Sequence, residues 1–255
     1  MSVDPDALRD DQWERLRDLI PGGRAGQRGP RCDNRRFVDA LLWMARSGGR
    51  WRDLPTRLGD YRAVKRRYYR WIEREALDGI LAALAAEPDL EWLMLDSTIV
   101  RAHQHAAGAR RKKGGPHAQG LGRSKGGLTT KIHAATDALG NPVRLLFGPG
   151  QQGDMVQAHA LIERLAPGAV IADRGYDADH LHDAILDAGA ELVIPPRRHR
   201  RQPHRYDTVL YKERNRIERF FNRLKQFRRV ATRYDKLLAN FRGFVQLAAI
   251  SILLA

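Results

Sequence analysis

The sequence predicts a mixed α/β sheet flanked by helices, preceded by a small all-α domain of helix-turn-helix type. Three observations lead there. Residues 1–88 read as short amphipathic helices separated by Pro- and Gly-containing turns. Beyond Pro88 the pattern switches to apolar, strand-like runs. From residue 154 onward helical and strand patterns alternate, the signature of a layered α/β sheet. The expected division is therefore 1–88 and 89–255.

In the first part, "DDQWERLRDLI" puts Trp13, Leu16 and Ile20 on one face, and "PGGRAGQRGP" ends that helix. "NRRFVDALLWMARSGG" opens on Asn34, a capping-type residue. It carries Phe37, Leu41, Met44 and Ala45 at helical spacing and stops at a Gly pair. "YRAVKRRYYRWIERE" is a basic helix with Val64, Tyr68 and Trp71 on its apolar side, and "ALDGILAALAAE" is a fourth helix. Short helices with one basic member fit a DNA reader in which Lys65, Arg66, Arg67 and Arg70 reach phosphates. A helical cap or dimerisation module is the plainer reading of the same pattern.

In the second part, "EWLMLDSTIV" is a continuous apolar run broken by Asp96, the pattern of a buried strand. The stretch at about 106–127 is Gly-rich and basic and reads as a loop. "LTTKIHAATD" and "PVRLLFG" flank the turn "ALGN" and predict a β-hairpin. A helix over 154–165, the strand "AVIAD", the helix "ADHLHDAILDAGA", the strand "ELVIPP" and two terminal helices follow. The apolar tail "FVQLAAISILLA" is too short for a bilayer and reads as a core helix, so no membrane partner is expected.

A formal charge of +15 and a pI near 10.6 favour a polyanionic partner, nucleic acid before an anionic membrane. Cys32 is the single cysteine, so no intrachain disulfide forms and a reducing cytoplasm fits. The first residues are acidic and polar, unlike a secretory leader.

The stretch "GPGQQG" (148–153) matches the G-x-G-x-x-G of dinucleotide-binding folds. A strand precedes it, a helix follows, and Asp173 stands twenty residues on. A nicotinamide oxidoreductase is thus one reading. Against it, the preceding strand is the second arm of a hairpin, and Pro149 removes an amide that a pyrophosphate would need. Asp154 and Gln157 fit a capping box, which makes the glycines a strand-to-helix turn.

Three acids carry the more specific signal. At about 100° per residue, Tyr211, Arg214, Glu218 and Lys225 share one helical stripe beside a core face of Ile217, Phe220, Phe221 and Leu224. An ordinary amphipathic helix with an Arg214–Glu218 pair at i,i+4 would look the same. Asp96 interrupts a buried strand, where an unpaired carboxylate costs several kcal/mol, unless Ser97 and Thr98 satisfy it. Asp173 ends the strand "AVIA", where α/β sheets place chemistry, or it initiates the "RGYD" turn. Two strand-borne acids plus a helix-borne Glu in a strongly basic chain are a less common combination than any one of them. Such oxygen donors suit Mg²⁺ or Mn²⁺, and a pair of these ions ~3.5–4 Å apart serves phosphodiester chemistry.

With those residues placed, the sequence resembles bacterial insertion-sequence transposases with an RNase H-like DDE core, of the insertion-sequence 4 and 5 types. Tyr211, Arg214, Glu218 and Lys225 match that group's Y-x2-R-x3-E-x6-K signature at every spacing. "LDST" and "ADRGYD" match its first and second acid motifs, and "DDQWERL" and "GGRWRDLP" resemble its DNA-binding region, with Arg50 departing slightly. The resemblance implies an RNase H-like sheet and a catalytic, metal-binding triad of Asp96, Asp173 and Glu218 holding two Mg²⁺ ions, Mn²⁺ substituting. It also implies DNA contacts by Tyr211, Arg214 and Lys225. The implied activity is metal-dependent cleavage and strand transfer on double-stranded DNA, at terminal inverted repeats and target, by a homodimer or larger assembly in the bacterial cytoplasm at the nucleoid. A transposase-derived DNA-binding protein without activity is the alternative within that group. Independently, residues 197–236 hold fifteen Lys or Arg against four acids, enough for a phosphate track.

Other constellations carry less. His103, His105, His117 and His133 lack a recurring ligand spacing and have no second cysteine beside them, which disfavours zinc there. Asp177 and Asp179 read as caps of the following helix rather than as the second acid.

Overall fold

The computed structural model describes residues 7–21, 33–109 and 118–255. Cys32, His117, the turn at 22–30 and the middle of the basic Gly-rich loop (110–117) lie outside them.

The chain forms two compact units. The first combines the described residues up to Ala86 with His103–Gly108 and Leu224–Ala255. Its helices are α1 (Asp10–Leu16), α2 (Asn34–Ser47), α3 (Tyr61–Glu73) and α4 (Ala76–Leu84). The residues expected to be apolar faces are buried: Leu16 and Ile20, Phe37, Leu41, Met44 and Ala45, and Val64, Tyr68 and Trp71. Trp13 is half-buried. The N-cap of α2 is Asp33, not Asn34: its carboxylate accepts from the Arg36 amide, and Asn34 is already helical. Gly48 closes α2 in the left-handed region, φ 66°.

Residues 224–255, which the sequence reading groups with the second segment, pack with these N-terminal helices. The apolar tail lies in a helix, Leu238–Leu253, whose residues Phe244 to Ile252 are all buried. The Tyr68 hydroxyl donates to the Asn240 carbonyl at 2.6 Å, and Arg242 and Gln246 both donate to Asp78 of α4. Among the described residues no helix is long and apolar enough to cross a membrane.

The second unit is the sheet. Its strands are β1 (Trp92–Ala102), β2 (Gly122–Ser124), β3 (Gly127–Thr136), β4 (Pro142–Pro149), β5 (Ala169–Ala172) and β6 (Glu191–Val193). The order is β2-β3-β1-β5-β6, with β4 on β3. Pairs β1/β3 and β3/β4 are antiparallel, whereas β1/β5 and β5/β6 are parallel. The mixed sheet is thus a meander continued by crossover strands. Helices α5 (Ala158–Ile162) and α6 (Asp179–Asp187) follow β4 and β5, and their Leu161, Leu181 and Ile185 pack with Leu93, Leu95 and Val170 of the strands. Helix α7 (Asn215–Lys225) is the one that carries Glu218.

Two expected elements differ. The helix predicted over 154–165 is a 3-10 turn, Asp154–Gln157, followed by the short α5. Its N-cap is Gly153, which has no side chain to cap with, and the Asp154 carboxylate, expected in a capping box, accepts from Ser97 and Lys131 of the sheet instead. The helical stripe from Tyr211 is likewise interrupted. Asp207 accepts from the Val209 and Leu210 amides and starts a 3-10 turn over Leu210–Arg214, and regular helix begins only at Asn215.

The "GPGQQG" turn does not open a dinucleotide fold, since β4 is antiparallel to β3. A Cβ on Gly150 would overlap Thr129 Oγ1, so this glycine permits close approach of the turn to its neighbouring strand.

Candidate active site

Strands β1 and β5 run parallel with Leu95 beside Ala172, and the next residue on each is an aspartate, Asp96 and Asp173. Two carboxylates therefore stand side by side because two buried apolar strands end their pairing at the same level. Asp96 Oδ1 accepts from the Ser97 amide at 2.8 Å, and its Oδ2 accepts from Arg214 Nη2 at 2.8 Å. The Ser97 hydroxyl does not satisfy Asp96, the alternative the sequence offers; it turns to Asp154. Asp173 Oδ1 accepts from the Gly175 amide at 2.7 Å and so caps the Arg174–Tyr176 turn.

Glu218 enters through Arg214. The other guanidinium nitrogen, Nη1, donates to Glu218 Oε1 at 2.6 Å. This is the i,i+4 pair of an ordinary helix, but the same guanidinium also spans to Asp96. Arg214 and Asp96 side chains are 19% and 16% exposed, while Glu218 is 54% exposed, so the glutamate stands at the solvent side. Tyr211 is half-buried, edge-on to Tyr206 with ring centroids 5.5 Å apart. Burial raises its hydroxyl pKa; the Arg214 charge opposes this and Asp173 adds to it.

Burial pushes the Asp96 carboxyl up to about 6; Asp173 and Asp154 repel its charge, and Arg214 and the Ser97 amide favour it. The Tyr176 hydroxyl, fully buried and without a hydrogen-bond partner, is raised first by burial and then by Asp154, Asp96 and Asp173.

Asp154 is the residue that sequence reasoning missed. Its Oδ1 accepts from the Ser97 hydroxyl and, at 3.0 Å, from Lys131 Nζ. Burial works to raise its pKa, but those two donors hold the carboxyl below its ordinary range. Its other oxygen faces the Asp173 turn: a Cβ on Gly175 would lie 3.7 Å from Asp154 Oδ2 and 2.8 Å from Asp173 Oδ1. The available signal was a lysine and a histidine, Lys131 and His133, on a strand whose other residues are uncharged.

The expected DNA contacts distribute as follows. Lys225 is exposed at the end of α7. On α3, Arg66 and Arg70 are exposed, and Lys65 is half-buried with its ammonium over the Tyr69 ring. Arg67 turns inward, its guanidinium 4.1 Å from the Phe37 ring centroid and donating to Asn34. His133 is buried on β3, and His103 stacks on Tyr234. Asp177 does not cap α6, whose N-cap is Ala178; it is buried in a separate cluster.

A mixed sheet with one aspartate on β1, a second directly after the neighbouring β5 and a glutamate on a following helix defines an RNase H-like α/β protein. The family profile described as "Transposase DDE domain" matches residues 87–254, and that described as "Putative transposase of IS4/5 family" matches residues 8–81. The chain belongs to the DDE-domain transposases of insertion sequences. Its relatives include "Uncharacterized protein y4sN" of Sinorhizobium fredii, 78% identical over 113 residues, covering 44% of this chain and 90% of the relative. A putative transposase for insertion sequence element IS6501 of Brucella ovis is 47% identical over 129 residues, covering 49% and 98%. One for IS402 of Burkholderia cepacia is 30% identical over 130 residues, covering 46% and 59%. A solved piggyBac transposase synaptic complex with hairpin DNA aligns at a TM-score of 0.42 and 13% identity, over 77% of this chain and 48% of that one.

Proposed function

We propose that this transposase binds the terminal inverted repeats of its insertion sequence and catalyses metal-dependent cleavage and strand transfer, with Asp96, Asp173 and Glu218 as the catalytic and metal-binding residues. The observation that carries this reading is the position of Asp96 and Asp173, each one residue beyond the paired Leu95 and Ala172 of parallel β1 and β5, with Arg214 tying Asp96 to Glu218. The donor set fits Mg²⁺, with Mn²⁺ substituting: it is all carboxylate oxygen, and a cation would offset the burial that chiefly raises Asp96 and the smaller repulsion from Asp173 and Asp154. When bound, such ions supply Lewis-acid activation of the attacking oxygen and of the leaving oxygen.

The chain's own residues do the rest. Arg214 orients Asp96 and Glu218 toward each other and presents a guanidinium, the group best suited to a phosphate, at the acid cluster. Tyr211 flanks the same cluster and positions the bound strand. Lys225, with Lys65, Arg66 and Arg70 of α3, is assigned to backbone contacts, where each phosphate neutralised adds to the salt dependence of binding, whereas Arg67 packs on Phe37. The protein acts as a homodimer or larger assembly on paired ends, in the bacterial cytoplasm at the nucleoid. In this reading 89–255 holds the catalytic residues and 1–88 reads DNA.

The test is strand cleavage on duplex DNA bearing the element's ends, with Mg²⁺ or Mn²⁺. Asp96→Asn, Asp173→Asn and Glu218→Gln should each abolish nicking while end binding persists. A wild-type chain that binds the ends and never nicks them would instead mark a DNA-binding protein without activity.

A further inference from the structure

Away from the acid site, Asp177, His182 and His204 bring one ligand atom each to within 4.8 Å of one another. Asp177 and His182 are 3% and 6% exposed, and His204 is half-buried. Among the described residues, two buried imidazole nitrogens here lack hydrogen-bond partners: His182 Nε2 and His204 Nδ1. His182 Nε2 lies 3.2 Å from Asp177 Oδ1 without the geometry of a hydrogen bond. Buried polar atoms without partners are rare in folded proteins and call for an explanation.

We propose that Asp177, His182 and His204 form a zinc site that fastens the basic segment 197–205 to helix α6. The second nitrogen of His204 supports this. Its Nε2 is 2.7 Å from the Ile194 carbonyl, which only accepts, so in the neutral ring Nε2 carries the proton and Nδ1 presents its lone pair to the cluster. A backbone carbonyl holding the far nitrogen is the usual way a metal-ligating histidine is oriented. Two imidazoles and one carboxylate make a borderline donor set that selects Zn²⁺ over Mg²⁺ and leaves a fourth position for water. Zinc donors sit roughly 3.3 Å apart in a tetrahedron with bonds near 2.0–2.1 Å, so loading requires the three ligands to close by an ångström or so.

Arg200 occupies the position a cation would take. Its Nη1 donates to Asp177 Oδ1 at 2.6 Å, and the Arg197 amide donates to Oδ2 at 2.6 Å. Arg200 also reaches the exposed Asp179 carboxylate and the Gln202 carbonyl, so it has partners to keep when it leaves Asp177. Zinc and Arg200 are therefore alternative counter-charges for one buried carboxylate.

The full-length chain, stripped with a chelator, should take up one Zn²⁺ in competition with a chromophoric indicator, and millimolar Mg²⁺ should not displace it. Co²⁺ in its place should give the intense visible absorption of four-coordination. His204→Ala and His182→Asn should each weaken binding by more than about tenfold, beyond the lower end of what losing an outer-sphere partner costs. Arg200→Gln should tighten binding, and Asp96→Asn should leave it unchanged. His204 sits on the outer segment, and His204→Gln substitutes if the alanine variant melts early. No stoichiometric uptake, uptake unaltered by either histidine variant, or weaker uptake by Arg200→Gln overturns the assignment.

Discussion

Arg214 donates to Asp96 Oδ2 at 2.8 Å across 118 residues of sequence, and its second nitrogen holds Glu218 at 2.6 Å. One guanidinium thus serves both as the counter-charge of a partly buried strand acid and as the link to the helix acid. Arg214→Ala should leave Asp96 partly buried and unpaired, costing about 1–3 kcal/mol in denaturant melts at neutral pH. The Asp96 pKa should rise above its present value of about 6, because Arg214 is what lowers it. The carboxylates would then repel one another unrelieved, so added Mn²⁺ should raise the Tm of Arg214→Ala more than that of the wild type. Equal shifts would separate Arg214 from the acids proposed to bind metal.

Asp154 and Lys131 form a second ionic pair next to the site, at 3.0 Å, with Lys131 only 10% exposed. Asp154→Ala strands that ammonium in the sheet and should destabilise the chain by about 3 kcal/mol. Adding Lys131→Met should recover much of the loss, since an apolar pair of similar volume is tolerated where a lone charge is not. Chemical unfolding of the four chains in a double-mutant cycle measures the coupling; additive losses would dismiss the pair as an energetic unit.

These two pairs also mark how far the sequence could be read. Asp96, Asp173 and the Arg214–Glu218 pair are legible because each disturbs a local pattern: an acid inside an apolar strand, an acid at a strand's end, a pair at i,i+4. Asp154 and Asp177 mislead because their spacing imitates helix capping, and only the third dimension reveals that Ser97, Lys131 and Arg200 compete for them. The stripe from Tyr211 assumes one uninterrupted helix, and Asp207 breaks that phase by seeding a tighter turn. The packing of residues 224–255 with the N-terminal helices is invisible for another reason. Amphipathic patterns say that a face is covered, not which distant segment covers it.

Two groups, Asp96 in the site and the buried His133, titrate with opposite effects on stability. His133, fully buried, is lowered to about 4 from 6.5, chiefly by burial, so the unfolded chain binds its proton first and acidification from about 6.5 to 4 destabilises the fold. Asp96 is raised to about 6 from 3.8, so the folded chain binds the proton first and acidification from about 6 to 4 stabilises it. Each shift is worth ~3 kcal/mol at 1.36 kcal/mol per pKa unit. Relative to wild type, Asp96→Asn should therefore lose stability between pH 6 and 4, and His133→Gln should gain it. Melts at several pH values read the slopes, and the same sign for both variants would refute the assignment.

Two helical glycines in the first unit should respond oppositely to the same change. In the C-terminal helix, a Cβ on Gly243 would overlap Ile72 Cδ1 and sit 2.6 Å from the Tyr68 hydroxyl. Tyr68 cannot step aside, because it is fully buried and its hydroxyl is committed to the Asn240 carbonyl. Overpacking at such a contact costs about 1–3 kcal/mol, more than alanine's advantage of ~1 kcal/mol over glycine in a helix. A Cβ on Gly79 in α4 would have no atom within 4 Å, so alanine there meets open space and keeps that advantage. Gly243→Ala should lower Tm and Gly79→Ala should raise it slightly. If both raised it, the close approach of α3 to the C-terminal helix would not be what requires glycine at 243.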